Sequence, residues 1–483
     1  MLKRLLKSSR SESQGALLDQ LLALCLRLGV EHFGLDDQTN AAQALALYEC
    51  LTQETRERLF HRLATDFGPD SGEIARLARR YSHSELAQDL VALRAAMESP
   101  RMRILRRLSR VPAGAATIVQ MRAALLNSPH RTSELAAFGD EIRQHLQLWF
   151  DPGFLTVERV DWQSPASLLD QLMQHEAVHQ IDGWSDLRRR LASDRRCFAF
   201  FHPVMPQSPL FFVEVALLNK LPEAIAPLLD RRQQADEQKE NYRVAAFYSI
   251  SNCQPGLRGV HLGSVLVQQV IAALREELPE LETFCTLSPV PGFAAWLNSV
   301  RRLDSTRVKP QLVKQLNEDL QDLRAQFGSD LNGLVTHELD EAKRHCGDPQ
   351  VPHTSPSVQQ MRRWEDQSDA PANAMTGGEQ HPLRVRHEQL RRLCAFYLTE
   401  ARAGISKIVD DEARFHLRNG ASLEQIYCRA NMTESGLQQS FGLMASYRYC
   451  PKELERHRLA ALDGQVACSR TVRALLRPLR AVR

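Results

Sequence analysis

Apolar residues recur at helical spacing through the first part of the chain. Leu17, Leu18, Leu21, Leu22 and Cys25 fall at i, i+1, i+4, i+5 and i+8, one stripe of an α-helix. Residues 42–51, 55–67, 71–82 and 84–97 repeat the pattern in shorter segments, and β-branched runs are almost absent. Asp70 follows Pro69 and precedes Glu73 by three positions, which reads as a capped helix start. The spacing predicts an all-helical lobe, with the pattern running from about residue 13 to 126. Near 149–153 the character changes. After one helix at 165–175, the apolar runs become short: 197–201, 210–216, 244–250 and 283–287, with Pro, Gly or Asn near their ends. Such runs read as strands. A helical run, 262–277, lies between the third and fourth. The order is strand, strand, strand, glycine loop, helix, strand, so the class is α+β. Residues 346–382, rich in Pro, Ser, Gln and Asp, read as a disordered insertion. From Leu383 to Arg483 helical spacing returns, with breaks at Gly404, Asn419-Gly420 and Gly442.

Composition narrows the classes. Among 483 residues, Lys+Arg is 61 and Asp+Glu is 58, a net charge of +3. A nucleic-acid-binding body carries a stronger basic bias. No apolar stretch approaches the ~20 residues that cross a bilayer, so neither nucleic acid nor membrane is an expected partner. The ten cysteines include no CxxC and follow no secretory signal, which reads as reduced thiols in a cytoplasmic protein. Arg470, Arg473, Arg477, Arg480 and Arg483 form a basic tail, a solvated helix face or an anionic contact.

Three segments carry candidate chemistry. In 247–264 a strand ends at a glycine-rich loop that opens a helix. Free N–H groups at a helix start suit a phosphate, and Arg258 could add charge. The same glycines could equally serve turns and packing. The loop lacks the Walker and GxGxxG patterns, which disfavours a nucleoside triphosphate or a dinucleotide. Ser288 sits at a strand end before Pro289 and Pro291, either a positioned hydroxyl or a plain turn. His416 falls in the last turn of a helix ended by Asn419-Gly420, where the helix dipole favours an imidazolium able to give a proton; a structural role is the alternative. Ser422, with Gln425 three residues on, reads as the cap of a following helix. His175-Glu176-Ala177-Val178-His179 matches HExxH and would bind zinc if helical. It lacks a third ligand, and no metal is expected.

Taken together, Phe247–Gly263, Thr286–Leu297, Phe415–Ser422 and Ser446-Tyr447-Arg448-Tyr449, with Cys197–Pro203 and Pro209–Leu217, resemble the malonyl-CoA decarboxylase family over nearly the whole chain outside 346–382. The resemblance implies a helical N-terminal oligomerisation domain over 1–150. It also implies a catalytic domain over 151–483, like GNAT acetyltransferases, with helical C-terminal additions. Ser288 and His416 would be the catalytic pair, with Tyr449 and Ser249 in support. Arg258, Gly259, Val260, His261, Leu262, Gly263 and Ser264 would bind the CoA of malonyl-CoA. His261 stands where the family carries Glu. The expected reaction is malonyl-CoA to acetyl-CoA plus CO2 by a homo-oligomer, dimer or tetramer, with no cofactor. The rival readings are a GNAT-type acyltransferase acting on an amine and a non-catalytic CoA-binding scaffold.

Overall fold

The computed structural model describes residues 2–30, 34, 36–129, 132–230, 241–260, 262–263, 265–346, 382–403 and 407–478. They divide into two compact units. One comprises Met1–Thr156, Phe200–Phe211 and Asn252–Leu262; the other comprises Val157–Ala199, Phe212–Ser251 and Gly263–Arg483.

The first unit is built on eight helices: Leu2–Leu28, Asp37–Cys50, Gln53–Asp66, Ser71–Ser84, Ala87–Ala96, Pro100–Leu108, Gly114–Leu126 and Ser133–Trp149. The stripe expected on the first helix faces its core: Leu18, Leu21, Leu22 and Cys25 are buried. Asp70 caps its helix as expected, accepting from the N–H groups of Gly72 at 2.9 Å and Glu73 at 3.1 Å. The same end-capping recurs at Thr52, Ser99 and Thr132. These side chains occupy N–H groups that a helix start leaves unpaired. Segment 252–262 packs in this unit. Gly256 lies so close to the helix Gly114–Leu126 that a Cβ there would overlap the Val119 carbonyl. Arg122 of that helix donates to the Gly256 carbonyl.

The second unit carries the sheet. Its strands are β1 (Thr156–Val160), β2 (Arg195–Phe201), β3 (Phe211–Leu218), β4 (Val244–Asn252), β5 (Thr283–Thr286), β6 (Ser288–Pro289), β9 (Ser422–Tyr427) and β10 (Met444–Tyr449). Two short strands, β7 (Arg402–Ala403) and β8 (Lys407–Ile408), pair separately. The order is β1-β2-β3-β4-β5-β10-β6, with β9 on β10. β2, β3 and β4 are buried almost throughout. Covered on both faces, they read in the sequence as continuous apolar runs. β4 and β5 run parallel from Val244↔Thr283 to Phe247↔Thr286; β4 then continues to Asn252. β10 is antiparallel to both β5 and β6, with Tyr449 opposite Phe284 and Ala445 opposite Ser288.

Four expectations change. The C-terminal stretch is not all helical: β9 and β10 are strands, between the helices Pro382–Thr399, Asp411–Arg418, Glu434–Ser440 and Leu454–Leu462. Ser422 opens β9 and caps no helix. The helix after the glycine loop begins at Leu266, not Leu262. The helix Ala166–His175 ends at the first histidine of the HExxH stretch, so the two imidazoles do not share a helical face. The 346–382 insertion lies outside the described residues apart from its flanking residues, as do Arg480 and Arg483. Among the described residues no helix is long and apolar enough to cross a membrane. Nine of the cysteines are free thiols there.

Candidate active site

In a strand, alternate residues share a face. Thr286 and Ser288 therefore point together, as do Tyr447 and Tyr449 on the neighbouring β10. Against that face packs the short helix Asp411–Arg418. Its start is held by Asp410, whose carboxylate accepts from the Ala413 N–H at 2.9 Å and the Tyr397 hydroxyl at 3.1 Å. Its stop is Asn419 followed by Gly420 at φ +86°, the left-handed end the sequence foretells. The helix is two turns long, and it delivers His416 onto the sheet.

Ser288 Oγ and His416 Nε2 lie 2.9 Å apart, both groups buried. Nε2 is also 3.0 Å from Glu412 Oε1, one turn back on the same helix. Nδ1 is 2.8 Å from the Tyr449 hydroxyl, and the Tyr447 ring stacks on the imidazole at 4.7 Å between centroids. Donor counting places the protons. Thr286 Oγ1 accepts from Ser288 Oγ at 3.0 Å and from the Tyr447 N–H at 3.2 Å. With the Ser288 proton so committed, its oxygen accepts from Nε2–H. Burial pushes the Tyr449 phenol well above its ordinary pKa, so it keeps its proton and donates it to Nδ1. So bonded, the ring accepts at Nδ1 and carries a proton on Nε2.

That proton faces a small pocket of about 230 Å³, walled by Ser249, Ser288, Pro289, Glu412 and His416 with Val178. Ser249 shares the pocket but not the hydrogen bonds of the pair. Its hydroxyl lies 2.7 and 2.8 Å from the two oxygens of Glu176. Glu176 also accepts from Ser251 Oγ at 2.9 Å and from the N–H groups of Val178 at 2.9 Å and His179 at 2.8 Å. The glutamate of the HExxH match is thus an internal clamp on a pocket wall. His179 stacks on Tyr248, and burial with the nearby Arg190 pushes its pKa down to about 3. Among the described residues, no group of three or more His, Cys, Asp or Glu is placed to hold a metal ion.

In the glycine loop, Arg258 and Gly259 are exposed, with Gly259 at φ +79°. Val260 and Leu262 are buried, and their N–H groups donate within the loop, to the Leu257 carbonyl at 2.9 Å and the Val260 carbonyl at 2.8 Å. A Cβ on Gly263 would overlap the Phe415 ring, so that turn rests on the residue preceding His416. Val265, at the start of the next helix, offers no side-chain cap. His261 and Ser264 lie outside the described residues. Thr286 and Glu412 are not singled out by the sequence, and Glu176 stands out there only within the HExxH match. Thr286 stands two residues before Ser288 and Glu412 four before His416, the spacings of a shared strand face and a shared helix face.

Comparison with known proteins locates the chain. Residues 153–483 match the family model "Malonyl-CoA decarboxylase C-terminal domain", and residues 67–150 match "Malonyl-CoA decarboxylase N-terminal domain". Mitochondrial malonyl-CoA decarboxylase of Rattus norvegicus is 33% identical over 430 residues, covering 85% of this chain and 79% of the relative. That of Anser anser anser is 31% identical over 412 residues, 82% and 74%. Among solved structures, malonyl-CoA decarboxylase of Rhodopseudomonas palustris superposes with a TM-score of 0.76 at 33% identity, covering 95% of this chain and 99% of the other. That of Agrobacterium vitis gives 0.74 at 33%, with the same coverage.

Proposed function

This chain belongs to the malonyl-CoA decarboxylase family of carboxy-lyases, and we propose that it converts malonyl-CoA to acetyl-CoA through a thioester enolate protonated by His416. The bond between the malonyl carboxylate and C2 breaks, CO2 leaves, and its electron pair enters the thioester carbonyl. The barrier is chiefly the cost of that charge. Hydrogen-bond donors fixed at the thioester oxygen lower it, at ~3 kcal/mol each. The thioester is itself the electron sink, so the chemistry asks for no added cofactor.

The observation that carries the reading is the 2.9 Å contact of Ser288 with a His416 whose Nε2 proton faces the pocket. A proton there is placed for delivery to C2. Ser288 donates to Thr286 rather than to the imidazole, which favours an orienting hydroxyl over a nucleophile. Tyr449 holds the tautomer, and Ser249, clamped by Glu176, shapes the wall. We assign CoA to the loop Arg258–Ser264, in the manner of GNAT acetyltransferases. The exposed Arg258 and the helix start after Val265, which has no side-chain cap, support this. For the helical lobe, exposed Leu86, Val91 and Met97 support an oligomerisation surface.

Incubation with malonyl-CoA discriminates the readings. Decarboxylation yields acetyl-CoA and CO2; an acyltransferase releases free CoA only with an amine acceptor; a scaffold binds CoA and forms no product. Purified His416→Ala and Ser288→Ala are expected to bind CoA and release little CO2. Near-normal turnover in both would remove the pair from the mechanism.

A further inference from the structure

Each decarboxylation consumes one proton. If His416 gives its Nε2 proton to C2, it must regain one before the next turnover. This inference rests on that role for His416. The imidazole itself is 1% exposed. Of the groups it meets, Ser288 is buried and commits its proton to Thr286, and Tyr449 is buried on the opposite nitrogen. Tyr447 stacks on the ring face and offers no proton. Asp410, the other acid close by, has its oxygens on the Ala413 N–H and the Tyr397 hydroxyl. Glu412 differs from all of these. Its carboxylate touches Nε2 at 3.0 Å, lines the pocket and is 36% exposed.

We propose that Glu412 is the proton-relay residue that reloads His416 from solvent. After C2 takes the Nε2 proton, the ring is left as an imidazolate with a free lone pair on Nε2, its Nδ1 still accepting from the Tyr449 hydroxyl. The Glu412 carboxylate takes a proton from a solvent-borne acid. Its O–H bond then breaks as the new Nε2–H bond forms, and the carboxylate is restored. One proton enters per CO2 released, and no oxidant, reductant or metal takes part. The helix explains the reach: residues i and i+4 lie on one face, so the carboxylate sits one turn nearer the helix start than the ring it serves.

The test compares Glu412→Gln, Glu412→Asp and His416→Ala with the unsubstituted protein, each checked for folding by thermal melting. For Glu412→Gln in dilute buffer, kcat should fall roughly ten- to a hundredfold with KM nearly unchanged. It should recover as a small acid, such as imidazolium or acetic acid, is raised in concentration. With enzyme in excess over malonyl-CoA, the first acetyl-CoA should still form at the unsubstituted rate, because Nε2 starts protonated. Glu412→Asp should retain part of the turnover. A Glu412→Gln kcat that is unchanged, or lowered equally at all buffer concentrations, overturns the relay and leaves the His416 role standing. Loss of the first turnover in that variant does the same, showing Glu412 to be structural. Normal turnover by His416→Ala would instead overturn the parent reading.

Discussion

Removing one oxygen atom from Tyr449 tests the tautomer argument. In Tyr449→Phe the ring stays in β10, against Phe247 at 6.3 Å, but His416 Nδ1 loses its partner at 2.8 Å. Both groups are buried, so water does not readily replace the hydroxyl. An unsatisfied buried polar group costs about 1–3 kcal/mol. The ring can evade part of that cost by moving its proton to Nδ1, turning Nε2 into an acceptor for the Ser288 hydroxyl. That is the wrong form for protonating C2. At 1.36 kcal/mol per tenfold, kcat should fall roughly 5- to 150-fold. KM should hold, because the hydroxyl faces the imidazole rather than the pocket. The assay is steady-state acetyl-CoA formation, with thermal melting to show that the fold survives. A kcat within about twofold of the unsubstituted value would show that Nδ1 needs no donor. A rise in KM at constant kcat would instead place the hydroxyl against the substrate.

Two further outcomes follow from the buried polar groups. Glu176→Ala removes the acceptor shared by the hydroxyls of Ser249 and Ser251 and by two backbone N–H groups, so its melting temperature should drop by the equivalent of about 1–3 kcal/mol; Glu176→Gln, which keeps an acceptor, should lose less, and equal losses would show that the clamp is not electrostatic. His179 is held neutral in the fold by a pKa of about 3, against 6.5 when unfolded. Below pH 6.5 the unfolded chain binds a proton that the folded chain refuses, so stability is full above that pH and falls toward pH 3, by roughly 1.4 kcal/mol per unit. His387, pushed down to about 4 by burial, adds a second such slope. Urea unfolding across pH 4–6.5 should show a shallower acid loss for His179→Phe; an unchanged slope would mean that His179 is protonated in the fold.

Much of the sheet could be read from the sequence, and the reason is burial. β2, β3 and β4 are enclosed on both sides, so each carries a continuous apolar run with turn-forming residues near its ends. β10 is just as buried, yet its spacing reads as helix. Its Tyr447 and Tyr449 face the site and Ser446 is buried on the other face, and these polar residues erase the hydrophobic pattern of a strand. β9 alternates poorly, and its Ser422 imitates a helix cap. Local rules fail where a site overrides them. Ser288 and His416 were legible as candidates through the proline turn and the helix stop. Their partners were not, because Thr286 and Glu412 gain meaning only once the strand and helix faces are fixed. The HExxH stretch misled for the opposite reason. Its spacing is that of a zinc site, but Glu176 turns back to accept the N–H groups of Val178 and Val178's neighbour His179, and so takes over as the helix unwinds.

The placement of β10 has a consequence for biosynthesis. Thr286 and Tyr447, 161 positions apart, are joined by a hydrogen bond inside the site. At ~5–20 residues per second of translation, roughly 8–30 s pass between the emergence of the serine strand and that of its tyrosine neighbour. Until then the nascent polypeptide bears an open edge along β5 and β6, and no complete catalytic group. A ribosome-bound chain arrested before β10 should therefore be inert toward the thioester and dependent on chaperones to shield that edge.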